Sequence, residues 1–299
     1  MKKEIKLRKG NRQNIDKIEK KRNSTDPSKN KKNTTKKIRI VLIFSILITI
    51  AIILLVLKWI YENNHTESIS KKLHEEIPIL HVDGENVELV NPPDASAQND
   101  YWDFIKMPLI SVDFAELLKR NPNTVGWIHV NNTNINYPVV QTQNNDDYLH
   151  KAFDGSPNQA GWIFADYRND MKNFDKNTII YGHSRLNKTM FGSLFQVLNQ
   201  SWYQDKYNQV ILFSTPTENT MWQVFSTYKI DLETYYLQTN FSNDASYETF
   251  LNTLKERSKY PFNVNLDASD KIITLSTCSD AAGTGRIVLH AKLIKRESR

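Results

Sequence analysis

An unbroken apolar segment near the N-terminus is the strongest constraint on how this chain can fold. Residues 40–57 carry no charged side chain, and nearly all of them are Ile, Leu or Val. A helix rises about 1.5 Å per residue, so the segment would be about 27 Å long, close to the hydrocarbon thickness of a bilayer. We therefore predict a transmembrane helix at this position.

The residues that flank this segment predict its orientation. Lys36, Lys37 and Arg39 precede it, and Trp59 and Tyr61 follow it. Positive charge stays on the cytoplasmic side of a membrane, and amphipathic aromatic rings favour the membrane–water interface. We therefore predict a cell-membrane protein with a single span, a cytoplasmic N-terminus and an extracellular remainder.

A cleaved signal peptide is the alternative interpretation of the same segment. Its apolar core would be shorter, nearer the N-terminus and followed by a small-residue cleavage site. Residues 58–62 read Lys-Trp-Ile-Tyr-Glu and offer no such site. We favour an uncleaved signal anchor over residues 40–61, preceded by a cytoplasmic tail at residues 1–39.

The charge of the chain is unevenly distributed. Residues 1–39 carry a net charge of +12, and the whole chain carries +6, which leaves −6 for residues 40–299. A nucleic-acid-binding protein would carry its basic surface on the folded domain. The distribution therefore argues against nucleic acid as a partner and is typical of a basic tail on the cytoplasmic side of a membrane.

The extracellular part divides into a lead-in and a domain. Residues 62–107 are polar and mixed, with a possible short helix at 68–76 and a Pro pair at 92–93 that breaks regular structure. We interpret this part as a stalk. It leads into a folded domain at residues 108–299.

The domain shows many short apolar runs separated by Asn, Asp, Gly and Pro. These runs occupy residues 125–130, 137–140, 161–164, 177–181, 209–213, 222–226, 271–275 and 286–294. Such a pattern is typical of a mostly antiparallel β-barrel or sandwich. Helical patterns interrupt it at residues 111–120, where Ser111 could cap the helix, and at 246–259. We predict a mostly β domain with short peripheral helices.

Cys278 is the only cysteine of the chain, so no disulfide can form within it. It follows the apolar run at 271–275, which places it at the end of a predicted strand. A thiol there is accessible to a substrate, and a nearby cation would increase its thiolate fraction. A free cysteine can also be an inert, buried side chain, and composition does not decide between the two.

His183 and Arg286 are the best candidates for partners of Cys278. His183 follows the predicted strand at 177–181 through Gly182, and Arg286 begins the strand after Cys278. An imidazole can transfer protons. A guanidinium offers forked donors that suit a developing oxyanion. A structural histidine and a surface arginine are the alternative interpretations.

Taken together, these features resemble the sortase family. The resemblance rests on the segment 274–278 (Thr-Leu-Ser-Thr-Cys), an Arg eight residues later, the upstream Tyr-Gly-His at 181–183 and the N-terminal anchor. The segments 126–128, 132–141 and 164–168 and the helix at 246–259 resemble class B. The resemblance covers roughly residues 108–296. One departure is Ser184, where many sortases have Asn.

The resemblance implies a closed sortase-type β-barrel and a cysteine transpeptidase that needs no cofactor or metal. Cys278 would be the nucleophile, His183 the acid and base, and Arg286 the group that holds the oxyanion. Ser276, Thr277 and Tyr236 are weaker candidates for substrate binding. The substrates would be secreted proteins with a C-terminal sorting motif of the Asn-Pro-x-Thr type, cut after Thr. The acceptor would be an amine of the peptidoglycan cross-bridge or its lipid-linked precursor.

Two alternative functions remain open at this stage. A hydrolytic cysteine protease would use the same nucleophile and release the product to water. A membrane-tethered binding or adhesion module would bury Cys278 as an inert side chain.

Overall fold

A computed structural model describes residue 17 and residues 27–84, 86–96, 99–231, 233–278 and 285–299 of the chain. Of residues 27–30, 33 and 278 it describes the backbone alone. The chain divides into two units, Met1–Ile60 and Tyr61–Arg299.

One long helix, α1 (Pro27–Glu76), contains the apolar segment. Every side chain described from residue 34 to residue 60 is exposed. Among the described residues, α1 is the one helix that is long and apolar enough to cross a membrane. A signal sequence near the N-terminus can meet the same criteria of length and composition. The short helix predicted at 68–76 is instead the end of α1, because residues 58–76 contain neither Gly nor Pro. Pro78 follows the end of the helix, and the residue before a proline disfavours helical backbone.

The second unit is built around a closed barrel of eight strands. They pair in the order β10-β7-β6-β5-β4-β8-β9-β11, and pairing of β10 with β11 closes the barrel. The strands are β4 (Thr124–Val130), β5 (Asn136–Val140), β6 (Phe164–Ala165), β7 (Asn177–His183), β8 (Val210–Ser214), β9 (Glu218–Ile230), β10 (Ile272–Cys278) and β11 (Arg286–Ser298). The prediction of a mostly β, closed barrel with peripheral helices is confirmed.

Three further strands and four short helices surround the barrel. Strand β2 (Val87–Leu89) extends the sheet beside β11, while β1 (Ile79–Val82) and β3 (Leu109–Val112) form a separate ribbon. The helices are α2 (Tyr101–Phe104), α3 (Phe114–Arg120), α4 (Gln200–Gln204) and α5 (Asp244–Glu256). Asp113, not Ser111, caps α3, because residues 109–112 form strand β3. Asn243 caps α5 through a capping box with Ser246.

The C-terminal part of α1 packs within the second unit. Leu73 of α1 and Ile77 just after it are only 1% exposed and belong to the main hydrophobic core. The ring of His74 meets Trp127 of β4 edge to face, with 5.5 Å between the ring centroids. Part of the segment predicted as a stalk is therefore packed against the domain.

Candidate active site

Three neighbouring strands bring the predicted catalytic residues to one end of the barrel. Strands β7 and β10 are parallel, and their register places Cys278 opposite His183. Strands β10 and β11 are antiparallel and pair Ser276 with Val288; the same register, continued by two residues, puts Arg286 opposite Cys278. Adjacent strands lie about 4.8 Å apart. The backbones of all three residues are therefore neighbours, although the side chain of Cys278 lies outside the described part of the structure.

The imidazole of His183 has a defined hydrogen bond. Its Nε2 lies 2.9 Å from the carbonyl oxygen of Leu149. A carbonyl only accepts, so Nε2 carries the hydrogen, and in the neutral ring Nδ1 is the free, basic nitrogen. Burial lowers the pKa of His183; the bond to Leu149 works against this, and the charges of Arg185 and His150 lower the pKa further. In this arrangement Nδ1 is the ring nitrogen that can take a proton.

Gly161 permits the close packing of this ring. Its backbone has φ of +62°, and a Cβ at this position would lie 2.7 Å from Cδ2 of His183 and 2.7 Å from the carbonyl oxygen of Tyr148. Any larger side chain would displace the imidazole. Sequence reasoning missed this residue, because a single Gly at the start of an apolar run is an ordinary turn signal.

Arg286 keeps donors available at the same end of the barrel. Its Nη1 lies 3.4 Å from the carbonyl oxygen of Thr277, a long hydrogen bond. Its Nε is buried and makes no hydrogen bond to any residue that the structure describes. An oxygen atom placed beside Nε would satisfy this donor, as a substrate carbonyl or an oxyanion could.

The residues suggested for substrate binding lie beneath the surface. Ser276 and Tyr236 are both fully buried, and their hydroxyl oxygens are 2.9 Å apart. Thr277 is 1% exposed, and its Oγ1 accepts a hydrogen bond from the backbone N–H of Ile287 at 2.9 Å. These contacts join β10 to the turn at Tyr235–Leu237 and to β11. A direct role for the three residues in substrate binding stays a prediction.

An ion pair with a buried carboxylate supports β7, and sequence reasoning did not identify it. Asp166 is fully buried and accepts hydrogen bonds from Arg168 and from the hydroxyl of Tyr181, two residues before His183. Burial alone would raise the pKa of Asp166, but these hydrogen bonds outweigh it and hold the pKa below its ordinary value. Arg168 also donates to the carbonyl oxygen of Leu237 at 3.1 Å. The only sequence signal was an Asp and an Arg two residues apart in segment 164–168.

His290 differs from His183 in its surroundings. It is fully buried, and burial lowers its pKa to about 3. Both ring nitrogens are hydrogen-bonded, one to Tyr228 at 2.9 Å and the other to Thr274 at 2.8 Å. His290 is therefore a neutral core residue. No group of three or more His, Cys, Asp or Glu side chains in the described ranges is placed to hold a metal ion.

Comparison with known proteins identifies a family to which this chain is similar. A family model for the sortase domain matches residues 128–294. Sortase B of Staphylococcus aureus is 42% identical over 184 residues, which cover 61% of this chain and 75% of that protein. Sortase B of Listeria monocytogenes is 30% identical over 239 residues, 79% of this chain and 88% of that protein.

Solved structures show the same relationship. A Staphylococcus aureus sortase B–substrate complex has a TM-score of 0.57 at 42% identity, covering 61% of this chain and 84% of that one. Sortase B from Bacillus anthracis, in complex with AAEK1, has a TM-score of 0.61 at 35% identity over 79% of this chain and 97% of that one.

Proposed function

This chain belongs to the sortase family of cysteine transpeptidases and is most like its class B members, and we propose that it attaches secreted proteins to the cell wall. In this proposal it cuts a C-terminal sorting motif of the Asn-Pro-x-Thr type after Thr. It then transfers the Thr carbonyl to an amine of the peptidoglycan cross-bridge or its lipid-linked precursor. Family membership speaks against the non-enzymatic adhesion module.

The proposed reaction has two steps. The sulfur of Cys278 attacks the Thr carbonyl carbon, its proton passes to Nδ1 of His183, and Arg286 holds the oxyanion. His183 then gives the proton to the leaving amine as the peptide bond breaks, which leaves a thioester. In the second step His183 takes a proton from the acceptor amine as its nitrogen attacks the thioester. The C–S bond then breaks, the amide product leaves, and His183 returns the proton to the sulfur of Cys278. This division into two easier steps is the usual gain of covalent catalysis.

One observation carries the proposal: the register of β7 and β10 places Cys278 opposite His183. The β10–β11 register, continued by two residues beyond the Ser276–Val288 pair, brings Arg286 next to them. Two properties of the flanking side chains support it. The neutral ring of His183 carries its hydrogen on Nε2, which leaves Nδ1 as the nitrogen that can accept a proton. Arg286 has a buried Nε without a hydrogen bond to a described residue, as an oxyanion donor requires.

Product analysis tests the function. We expect the 299-residue protein in detergent to join an Asn-Pro-x-Thr peptide to an added oligoglycine, giving an amide product that mass spectrometry identifies. A peptide with the same residues in scrambled order is the matched control and should not react. Release of a free Thr carboxylate, with no amide at any amine concentration, would instead identify a hydrolytic protease.

We further propose that residues 40–61 anchor the enzyme, with the tail at 1–39 inside the cell and the catalytic domain at 108–299 outside. The exposed apolar surface of α1 and the basic tail before it support this topology. The topology also explains the function, because an anchored external enzyme meets both secreted proteins and wall precursors.

The lone cysteine makes this topology measurable. In a Cys278→Ala background, a cysteine introduced at exposed Lys172 should react with a membrane-impermeant thiol reagent on intact cells. A cysteine introduced at Ser24, in the tail, should react only after the membrane is permeabilised. Equal labelling of both positions on intact cells would contradict the proposed orientation, and loss of the N-terminus from the mature protein would indicate a cleaved signal peptide.

A further inference from the structure

The imidazole of His183 packs against one segment of chain, residues 148–162. The carbonyl oxygen of Leu149 accepts from Nε2 of the ring, and the backbone of Gly161 packs against Cδ2. The backbone N–H of Trp162 donates to the carbonyl oxygen of Tyr148 at 2.8 Å, which keeps the two ends of the segment together. The position of His183 therefore depends on the position of residues 148–162.

The other side of this segment is attached to α1 through Asn158, which is 1% exposed. Its Nδ2 donates to the carbonyl oxygen of Glu62 and to Oγ1 of Thr66, both at 3.1 Å. Its Oδ1 accepts from the N–H of Ala160 at 2.8 Å, and its carbonyl oxygen accepts from the N–H of Gly161 at 3.1 Å. A single buried side chain thus links α1 to the glycine beneath the imidazole.

Two further contacts join the same turn of α1 to the site. Nε2 of His65 lies 3.1 Å from both Oγ of Ser156 and Oδ2 of Asp154. The guanidinium of Arg185, two residues after His183, donates to Oδ1 of Asn63 and, at 3.3 Å, to the carbonyl oxygen of Gln159. This turn of α1 therefore contacts both the supporting segment and the chain just after His183.

We propose that residues 62–66 of α1, acting through Asn158, are a positioning element for His183. The sequence predicts this stretch to be part of a stalk, but in the structure it binds Asn158, which belongs to the segment that packs against the imidazole. If Asn158 loses its anchorage on α1, Gly161 and Leu149 can move and the ring loses its defined orientation. Proton transfer requires that orientation, since a displacement of about 1 Å can cost about a hundredfold in rate.

Thr66→Val is the sharpest test, because it removes one hydroxyl and keeps the shape of the side chain. Thr66 accepts from Asn158 and donates to Glu62, and Thr66→Ser preserves both bonds. Thr220→Val is the matched control: Thr220 is also buried, donates to the carbonyl oxygen of Phe213 and accepts from Trp222. It lies ten residues before Ile230, the partner of Arg286, and so about 33 Å from that end of β9.

We expect Thr66→Val and Thr220→Val to lower the melting temperature of the 299-residue protein in detergent by similar amounts. Only Thr66→Val should lower kcat for peptide transfer, by about three- to tenfold with little change in KM, and Thr66→Ser should restore it. If Asn158→Ala folds, it should lower kcat more than Thr66→Val does. If it does not fold, the comparison of Thr66→Val with Thr66→Ser still tests the proposal.

An NMR titration of the His183 imidazole separates positioning from general stability. Burial is the largest cause of its lowered pKa, and the nearby charges of Arg185 and His150 are unchanged by these substitutions. A loosened ring gains solvent, so its pKa should rise towards the ordinary value in Thr66→Val and stay unchanged in Thr220→Val. An unchanged pKa and kcat in Thr66→Val, or equal losses of kcat in both variants, would overturn the proposal.

The measurement of kcat rests on the proposed function, because it follows peptide transfer. The NMR titration of His183 does not. A protein that transfers no peptide but shows the expected pKa pattern would retain the positioning element and refute the function. A protein that transfers peptide with no difference between Thr66→Val and Thr220→Val would retain the function and refute the positioning element.

Discussion

Cys278→Ala is expected to abolish peptide transfer, lowering kcat at least about 10⁴-fold, because the thioester cannot form without the sulfur. The variant should also accumulate no covalent adduct when it is incubated with a sorting peptide and no amine. Intact-protein mass spectrometry measures the adduct directly, and wild-type protein should show it. This is the largest effect that we expect of any single substitution in the chain.

Stability provides the control for this prediction. Cys278 is the last residue of β10, and a small truncation at a strand end should leave the melting temperature nearly unchanged. A variant that lost several degrees of melting temperature but still cleaved the peptide would show that Cys278 is structural. The adhesion-module alternative predicts a lower melting temperature for Cys278→Ala and no cleavage by either protein, so the same two measurements separate it from the transpeptidase.

The barrel could be predicted from the sequence because its strands are short, apolar and separated by turn residues. The runs around Trp127, Ile179 and Ile273 are buried strands in the structure. The parallel pairing of β7 with β10 could not be derived from periodicity, because an alternating or apolar run does not indicate its partner. That pairing aligns His183 with Cys278. The sequence predicted only that each residue lies at the end of a strand, and the resemblance to a family that they act together.

The support around the site was harder to predict than the site itself. The single cysteine stands out in this sequence, whereas Asn158, Gly161 and Asp166 belong to types that are common in loops. Their importance comes from contacts across long sequence separations, such as the 96 residues between Asn158 and Glu62. The predicted stalk illustrates the same limit, since a polar helix gives little indication that Leu73 is buried in the core.

Arg286→Lys is expected to lower kcat and kcat/KM about equally, by roughly 10²- to 10³-fold, as loss of one oxyanion donor typically does. Lysine keeps the positive charge but replaces a planar fork by a single point donor. In the structure Nη1 of Arg286 reaches Thr277 while Nε stays buried without a described partner. One ammonium group cannot occupy both positions, so charge alone should not rescue the reaction.

Arg296→Lys is the matched control on the same strand. Arg296 lies ten residues further along β11, where Nη2 pairs with buried Glu218 at 2.8 Å, about 33 Å from Arg286 along the strand. We expect this variant to lose stability and to keep kcat, whereas Arg286→Lys should keep its melting temperature and lose kcat. If Arg286→Lys retained wild-type turnover, a positive charge at this end of the barrel would be sufficient. The forked donor geometry would then not be required, and the role proposed for the guanidinium fork would be wrong.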